Sequence, residues 1–251
     1  MNNSKLAIVT GALGGIGQAV VETFQVAGYE VLALDKLPKP EALSCHHYLR
    51  VDLAELVTSQ KYADQVFDEM HRILSSNRFT LSALINNAAI QSLASIADIT
   101  IEDWRAALDT NLLAPFFLTQ RLLRPLERAN GCVINIGSVH ARLTKPKFVT
   151  YATSKAALAG LTRAMAVDVG AKIRINAIEP AAVQTQMLSE GFDGNLEALE
   201  SLANCHPRGK LGNVEEVAKL ALAIASGDID FLHGSCIGLD GGISGRLHDP
   251  D

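Results

Sequence analysis

Short apolar runs alternate along this chain with segments in which apolar residues recur every three or four positions. The runs that have the length of buried strands are 6–9, 31–34, 47–51, 81–85, 133–136, 173–178 and 236–239. Helical spacing covers 16–27, 60–74, 101–126 (interrupted by Pro115), 151–169 and 214–225. This alternation predicts an α/β fold in which seven parallel strands form one sheet between helices.

The predicted strands are unbroken apolar runs, which is typical of strands covered by helices on both faces. Because no repeat, linker or low-complexity stretch divides the chain, residues 1–251 are interpreted as one domain. The segment 181–212 is long for a connection between a strand and a helix, and it carries scattered apolar residues. It is predicted to be a substrate-binding lid, with a poorly ordered loop as the alternative.

Composition and charge narrow the class of protein. The chain is 48% hydrophobic and 20% charged, an ordinary globular mixture, and its net charge of −5 gives no electrostatic reason to expect nucleic acid or anionic lipid as a partner. No apolar run approaches the ~18 residues of a membrane span. No signal peptide precedes the first strand, so a cytoplasmic location is expected.

Cysteine and histidine positions do not predict a metal site. The four cysteines stand at 45, 132, 205 and 236, without CxxC or zinc spacing, and are interpreted as free thiols. Cys45-His46-His47 brings possible ligands together, but neighbouring residues of a strand point to opposite faces. This stretch and Cys205-His206 are therefore interpreted as structural.

A glycine-rich turn joins the first predicted strand to the first predicted helix. Its spacing is Gly-x3-Gly-x-Gly, at 11, 15 and 17, rather than GxGxxG. Glycines let the backbone approach a pyrophosphate closely, and the helix that follows presents free N–H groups. The turn is therefore predicted to bind a dinucleotide, although glycines also punctuate ordinary loops.

The end of the second predicted strand bears on the choice of cofactor. Asp35 follows Gly17 by 18 residues, at a place where a carboxylate accepts hydrogen bonds from ribose hydroxyls and repels a 2′-phosphate. This favours NAD over NADP, whereas the neighbouring Lys36 would suit a phosphate. Asp52 follows the third strand and is placed to reach the adenine edge, with a turn residue as the alternative.

Further motifs follow in order along the chain: Asn86-Asn87-Ala88, Asn111, Ser138, Tyr151-x3-Lys155 and Pro180-x4-Thr185. Together with the glycine turn, they resemble the short-chain dehydrogenase/reductase family in its classical form, from about Lys5 to Gly242. The resemblance implies a Rossmann-type, doubly wound sheet and a nicotinamide cofactor. It also implies hydride exchange with an alcohol or ketone, and a homo-oligomer, either tetramer or dimer.

The resemblance also extends the set of expected cofactor contacts. The full set is Gly11, Gly15, Ile16, Gly17, Asp35, Asp52, Leu53, Asn87, Ala88, Tyr151, Lys155, Val183 and Thr185. Two residues depart from the family pattern, since Ala89 and Ala181 stand where the family has glycine. Each adds a methyl group near the cofactor, so altered affinity rather than lost binding is expected.

The predicted catalytic residues are Tyr151, Lys155, Ser138 and Asn111. Tyr151 and Lys155 are four apart on a predicted helix, so the ammonium is expected to lower the pKa of the phenol and make it a general acid/base. Ser138 ends a strand and is placed to donate to the substrate oxygen. By resemblance, Asn111 bends its helix and holds a water beside the lysine, with a kink near Pro115 as the alternative.

These residues predict an oxidoreductase that acts on a secondary alcohol or ketone with NAD. His140 and Gln91 either face the substrate pocket or lie on a surface loop. One alternative is a binding module that senses NAD(H) and regulates a partner, which would not need the acid/base residues. Another is an enzyme of the same fold that epimerises or dehydrates sugars. Such enzymes usually carry a C-terminal substrate domain, for which the nine residues after Gly242 leave no room.

Overall fold

The computed structural model describes residues 4–75, 79–192 and 194–247; the first three residues, which entered the expectation about a signal peptide, lie outside this part. The strands are β1 (Ser4–Thr10), β2 (Glu30–Asp35), β3 (His47–Arg50), β4 (Phe79–Asn86), β5 (Cys132–Ile136), β6 (Arg174–Pro180) and β7 (Cys236–Leu239). The α-helices are α1 (Gly15–Val26), α2 (Leu53–Thr58), α3 (Gln60–Leu74), α4 (Ile101–Leu108), α5 (Ala114–Arg128), α6 (Val149–Val169), α7 (Gln186–Glu190), α8 (Leu196–Asn204) and α9 (Val214–Ala225).

The strands form one parallel sheet in the order β3-β2-β1-β4-β5-β6-β7. Along β1, Leu6 and Ile8 pack into one apolar layer while Ala7 and Val9 pack into the other, because successive strand residues point to opposite faces. Helices α1 and α9 cover the Ala7 layer, and α3, α5 and α6 cover the Leu6 layer. The prediction of a doubly wound, Rossmann-type sheet is confirmed.

The order of the strands determines at which edge of the sheet a ligand site is expected. After β1 the chain builds the sheet outward through β2 and β3, and it then returns to place β4 on the other side of β1. Ligands of open α/β sheets bind at the carboxyl ends of the strands where this reversal occurs. Here those ends are Thr10 and Asn86, which lead into the glycine turn and into Asn87.

The helical segment predicted at 101–126 is divided differently from the expectation. Helix α4 passes into a π-helical turn, Asp109–Leu113, before α5 begins at Ala114. Pro115 lies in the first turn of α5, so the interruption falls in the residues that precede it.

Three short helices lie outside the predicted set: α2, and α7 and α8 within 181–212. By contrast, the predicted bounds of α3 and α9 are confirmed, and Asn213 and Glu216 form a capping box at the start of α9. Within the described residues, no helix combines the length and apolar character needed to span a bilayer.

Candidate active site

The N-terminus of α1 opens on a cavity of about 1250 Å³ at the carboxyl ends of the strands. Its N-cap is Gly14, no side chain caps the first turn, and that turn carries no acidic residue. Gly14, Gly15 and Ile16 line the cavity wall. Free N–H groups and the positive end of the helix dipole thus meet the cavity, an arrangement that fits the pyrophosphate of a dinucleotide.

Two glycines of the turn have distinct roles. Gly11 has φ +63°, and a Cβ there would lie 2.8 Å from the Cα of Ala88. Gly17 does not line the cavity; a Cβ there would collide with the Gly11 carbonyl. The structure therefore gives Gly17 a packing role, which lets α1 lie against the turn, and its expected contact with the cofactor stays a prediction.

Asp35 is held at one end of the cavity by main-chain donors. Its Oδ2 accepts the Leu13 N–H at 3.0 Å and its Oδ1 accepts the Leu37 N–H at 3.2 Å. Lys36 lines the same region and is exposed. The carboxylate is thereby fixed in one orientation toward the glycine turn, while the lysine beside it is exposed to solvent.

Asp52 also lines this end of the cavity, next to Leu53, but its carboxylate has another function. Asp52 is the N-cap of α2, and its Oδ1 accepts the N–H groups of Ala54 and Glu55. The turn-residue interpretation therefore describes this side chain better than the interpretation of a carboxylate reaching for adenine.

Thr10 locks the ends of β1 and β4 together. Its hydroxyl accepts the N–H groups of Asn87 and Ala88, both at 3.0 Å, and the Asn87 amide donates to the carbonyls of Thr10 and Gly11. The sequence motif included Thr10 but did not reveal this bridge. As a result, Asn87 and Ala88 stand at the cavity wall directly beside the glycine turn.

Lys155 and Tyr151 share one face of α6 at the cavity, as their spacing predicts. Lys155 is buried, its Nζ donates to the Ile136 carbonyl at 2.7 Å, and it lies 5.7 Å from the centre of the Tyr151 ring. Desolvation lowers the pKa of Lys155 to about 8. The ammonium is thus a buried charge immediately beside the phenol.

The expectation of a lowered pKa for Tyr151 is wrong for the chain by itself. Burial raises the pKa of this phenol above its ordinary value, and hydrogen bonding with the Ser138 hydroxyl only partly opposes the rise. Ser138 is buried at the end of β5, and its Oγ also accepts the His140 N–H at 3.2 Å. The two hydroxyls predicted to act on a substrate oxygen are thus neighbours.

Asn111 lies in the π-helical turn and, unlike the other predicted catalytic residues, does not line the cavity. Its Nδ2 donates to the Ile90 carbonyl at 2.9 Å and to the Ser154 hydroxyl at 3.0 Å, and its Oδ1 accepts the Ile90 N–H at 2.9 Å. The amide thus holds the loop after β4 against α6. Neither predicted alternative included this clamp.

His140 and Gln91 both line the cavity, so His140 belongs to the site rather than to a surface loop. The His140 ring stacks on Phe148 at 4.4 Å, and its Nδ1 lies 3.3 Å from the Thr144 hydroxyl. Burial, with a smaller effect of the Lys145 charge, lowers the pKa of His140 to about 4. A neutral imidazole therefore stands beside Ser138, supported by Phe148, which the sequence analysis missed because nothing local marks it.

The segment 181–212 leaves and rejoins the fold at one narrow point. Val183 and Gly212 form a parallel bridge, and the Gly212 N–H donates to the Ala182 carbonyl at 2.9 Å. Between these ends, α7, α8 and the residues around them contribute part of the cavity wall, including Leu188, Glu190, Phe192 and Leu202. Val183 and Thr185, predicted cofactor contacts, line the cavity, and Thr185 lies beside Gly15. Ala89 and Ala181 also line it, so both extra methyl groups lie at the wall.

The histidines that follow Cys45 and Cys205 have structural contacts. His46 Nδ1 accepts the Val31 N–H at 3.2 Å, and His206 Nδ1 is 2.9 Å from the Leu202 carbonyl. Within the ranges that the structure describes, histidine, cysteine and acidic residues form no group of three that would hold a metal ion.

Comparisons with known proteins find relatives over nearly the full length. Residues 11–244 match the family model described as Enoyl-(Acyl carrier protein) reductase. The chain is 31% identical over 249 residues to 3-oxoacyl-(acyl-carrier-protein) reductase FabG of Thermotoga maritima, covering 95% of this chain and 97% of that protein. D-threitol dehydrogenase of Mycolicibacterium smegmatis is 29% identical over 252 residues, or 96% and 93% of the two chains. The solved structure of Thermoplasma acidophilum aldohexose dehydrogenase in ligand-free form has a TM-score of 0.90 at 27% identity, covering 99% of this chain and 97% of that one.

Proposed function

Because the chain belongs to the short-chain dehydrogenase/reductase family, we propose that it transfers a hydride between NAD(H) and a secondary alcohol or ketone. One observation carries the proposal. Tyr151, Lys155 and Ser138 line the same cavity as the uncapped N-terminus of α1. A proton-transferring group, a buried cation and a hydroxyl donor are thus close to a site that suits a dinucleotide.

The residues that hold the cofactor are distributed along the cavity. The turn at Gly11 and the first N–H groups of α1 bind the pyrophosphate, and Asp35 binds the adenosine ribose. Val183 and Thr185 hold the nicotinamide end, beside the catalytic residues. The nicotinamide cofactor, when bound, supplies the acceptor or donor of the hydride.

Tyr151 is the general acid/base at the reacting oxygen. In alcohol oxidation its phenolate takes the hydroxyl proton, and in ketone reduction its phenol returns the proton. Ser138 donates a hydrogen bond to the same oxygen and stabilises its developing charge. Because burial by itself raises the pKa of Tyr151, the phenolate depends on Lys155 carrying its positive charge.

Asn111 has the role of supporting the proton relay beside Lys155. Both polar atoms of its side chain are engaged by Ile90 and Ser154. The amide therefore supports the relay by holding the π-helical turn against the loop after β4 and against α6, rather than by holding a water itself.

NAD is the proposed cofactor, on the strength of the fixed Asp35 carboxylate. A 2′-phosphate on the ribose would meet that negative charge, which its two main-chain donors keep in place. Among the described residues that line this end of the cavity, only Lys36 favours NADP. Separate assays with the two cofactors decide between them.

Three further features belong to the proposal. The segment 181–212 acts as a lid, since its two ends meet at Val183 and Gly212 and its middle lines the cavity. The active form is a homo-oligomer, a tetramer or a dimer, and its location is cytoplasmic. Size-exclusion chromatography with light scattering tests the assembly, and a monomer at assay concentration contradicts it.

The experiment that tests the function compares wild type with Tyr151→Phe. Both are assayed with NAD⁺ and NADP⁺ on a panel of secondary alcohols that includes D-threitol and an aldohexose, and with the reduced cofactors on a 3-oxoacyl thioester. Tyr29→Phe is the matched control, because its hydroxyl donates to Ala225 under α9, away from the cavity. We expect Tyr151→Phe to bind NADH and lose at least about 99% of turnover, and the control to retain it.

Two outcomes contradict the proposal. If Tyr151→Phe turns over substrate at the wild-type rate, Tyr151 is not the general acid/base. Binding of NADH with no turnover of any substrate by wild type supports instead a module that senses the cofactor.

A further inference from the structure

An ion pair lies beside the site and takes no part in the reaction as proposed. Arg142 Nη2 is 2.8 Å from Glu179 Oε2; the Glu179 side chain is only 2% exposed, whereas that of Arg142 is 59% exposed. Neither residue lines the cavity, so the pair contacts neither substrate nor cofactor. A carboxylate this deeply buried is strongly destabilising without a partner, which means that Arg142 is held where it is by a large electrostatic constraint.

The ion pair is the second of two contacts that attach the turn at residues 138–141 to strand β6. At the start of the turn, the Gly137 N–H donates to the Ile178 carbonyl at 2.7 Å. At its end, Arg142 binds the side chain of Glu179, the next residue along the strand. Residues 138–141 are therefore suspended between anchors on two consecutive residues of β6.

The suspended turn is internally rigid, so a shift at Arg142 reaches Ser138. The Ala141 N–H donates to the Ser138 carbonyl at 2.9 Å, and the Arg142 N–H donates to the Val139 carbonyl at 3.0 Å. Ser138 Oγ itself accepts the His140 N–H. These short hydrogen bonds leave the turn free to move only as a unit, about its two attachments.

Other groups around the pair identify Arg142 as the cation that Glu179 depends on. Burial and, to a smaller extent, the Glu179 charge raise the pKa of the Cys236 thiol, while the charge of Arg163, which hydrogen-bonds that thiol, opposes the rise. On the other side, the pKa of Asp240 is lowered despite its partial burial, mainly by hydrogen bonds from Ser244 and Gly242 and to a smaller extent by the Arg142 charge. Among the described residues, Arg142 is the one cation that hydrogen-bonds Glu179.

We infer that Arg142 and Glu179 are positioning residues, whose ion pair holds the Ser138 turn on β6 and keeps the Ser138 hydroxyl aligned with Tyr151. The inference rests on the proposed function. Glu179 directly precedes Pro180, where the chain enters the segment proposed to hold the nicotinamide end. One ion pair therefore fixes the hydroxyl donor relative to the cofactor segment.

The test compares wild type, Arg142→Ala and Arg142→Lys, with Arg72→Ala as the control. Arg72 forms an exposed ion pair with Glu69 on α3, away from the cavity, and such pairs contribute little. Steady-state kinetics separate kcat from KM, fluorescence titration gives the NADH Kd, and hydrogen exchange compares residues 138–144 with α9.

We expect Arg142→Ala to lower kcat at least about tenfold, because small misplacements of a reacting group are costly, while the NADH Kd stays within about twofold. Amide exchange should accelerate in 138–144 and stay unchanged in α9. Arg142→Lys should recover most of kcat, since it restores the charge opposite Glu179. The control should match wild type in every measurement.

Two results overturn the inference: wild-type kcat in Arg142→Ala, or loss of kcat with unchanged exchange in 138–144. Should Arg142→Ala fail to fold, Glu179→Gln removes the charge and keeps the shape, and wild-type kcat and exchange in that variant also overturn it. If wild type itself turns over no substrate, the proposed function fails. The exchange comparison then still decides whether the ion pair holds the turn.

Discussion

Lys155 donates from Nζ to the main-chain carbonyl of Ile136 at 2.7 Å, which ties helix α6 to the end of strand β5 two residues before Ser138. The bond holds a buried ammonium in place while desolvation lowers the pKa of Lys155 to about 8. The Tyr151 phenolate depends on the positive charge of Lys155. Deprotonation therefore removes this charge within the pH range of an ordinary assay.

The first prediction concerns the pH dependence of ketone reduction. Since the pKa of Lys155 is lowered to about 8, its charge is present below that pH and lost above it. We expect kcat/KM to fall as pH rises through about 8, and Lys155→Arg, whose guanidinium stays charged, to lose this limb of the profile. Rates measured from about pH 6 to about 10 test this, and a flat wild-type profile contradicts it.

The second prediction concerns the Asn111 clamp. Asn111→Ala removes three hydrogen bonds, two to the half-buried main chain of Ile90 and one to the buried Ser154 hydroxyl. We expect the free energy of unfolding to fall by about 2 to 4 kcal/mol, measured by urea denaturation. Gln60→Ala, which loses one exposed hydrogen bond to Asp64, should change it by less than about 0.5 kcal/mol. Equal effects of the two variants contradict a structural clamp.

Elements whose signals are local could be predicted from the sequence. Helix α9 begins where Asn213 caps it and Glu216 completes the capping box, and all of these signals lie within four residues. The position of the cavity at the ends of β1 and β4 could also be predicted, because parallel strands bring their carboxyl ends together and the glycines stand at one of those ends.

Features that depend on distant contacts could not be predicted. The π-helical turn holds Asn111, whose amide binds a residue 21 positions away in the chain. Arg142 and Glu179 are separated by 37 positions, and neither stands in a periodic pattern or a known motif. The raised pKa of Tyr151 depends on burial by the folded chain, whereas its spacing from Lys155 revealed only the neighbouring charge.

The third prediction links His140 to acid stability. Burial and Lys145 lower the pKa of His140 from 6.5 to about 4, so between these values the unfolded chain binds a proton that the folded chain does not. Stability should therefore fall as pH drops from 6.5 toward 4, by about 1 to 2 kcal/mol from this residue, because solvent around the partly exposed ring screens part of the effect. Denaturation of wild type and His140→Asn at several pH values isolates the contribution. His71→Asn, on the exposed surface of α3, is the control and should leave the wild-type slope unchanged.

The fourth prediction concerns cofactor choice at Asp35. Asp35→Ala removes the carboxylate that faces the ribose, so NADH should bind more weakly and NADPH more tightly, shifting the ratio of their Kd values by at least about tenfold. Lys36→Ala should weaken NADPH more than NADH. Fluorescence titrations of both cofactors measure these changes, with Asp68→Ala on the exposed surface of α3 as a charge-matched control. Wild type that prefers NADPH would show that Lys36 outweighs Asp35.

The fifth prediction compares two glycines with positive φ. Gly11 has φ +63° and Gly28 has φ +84°, so alanine at either position introduces backbone strain of about 1 to 2 kcal/mol. At Gly28 the new methyl group meets nothing within 4 Å, whereas at Gly11 it lies 2.8 Å from the Ala88 Cα, and backbone cannot move aside as a flexible side chain does.

We therefore expect Gly28→Ala to lose only stability and to keep the wild-type Kd for NADH. Gly11→Ala should lose more stability and should weaken NADH at least about tenfold, because displacing Ala88 opens the wall beside the pyrophosphate. Thermal denaturation and NADH titration of both variants measure the difference. If Gly11→Ala binds NADH as tightly as Gly28→Ala does, the glycine turn is not where the dinucleotide lies.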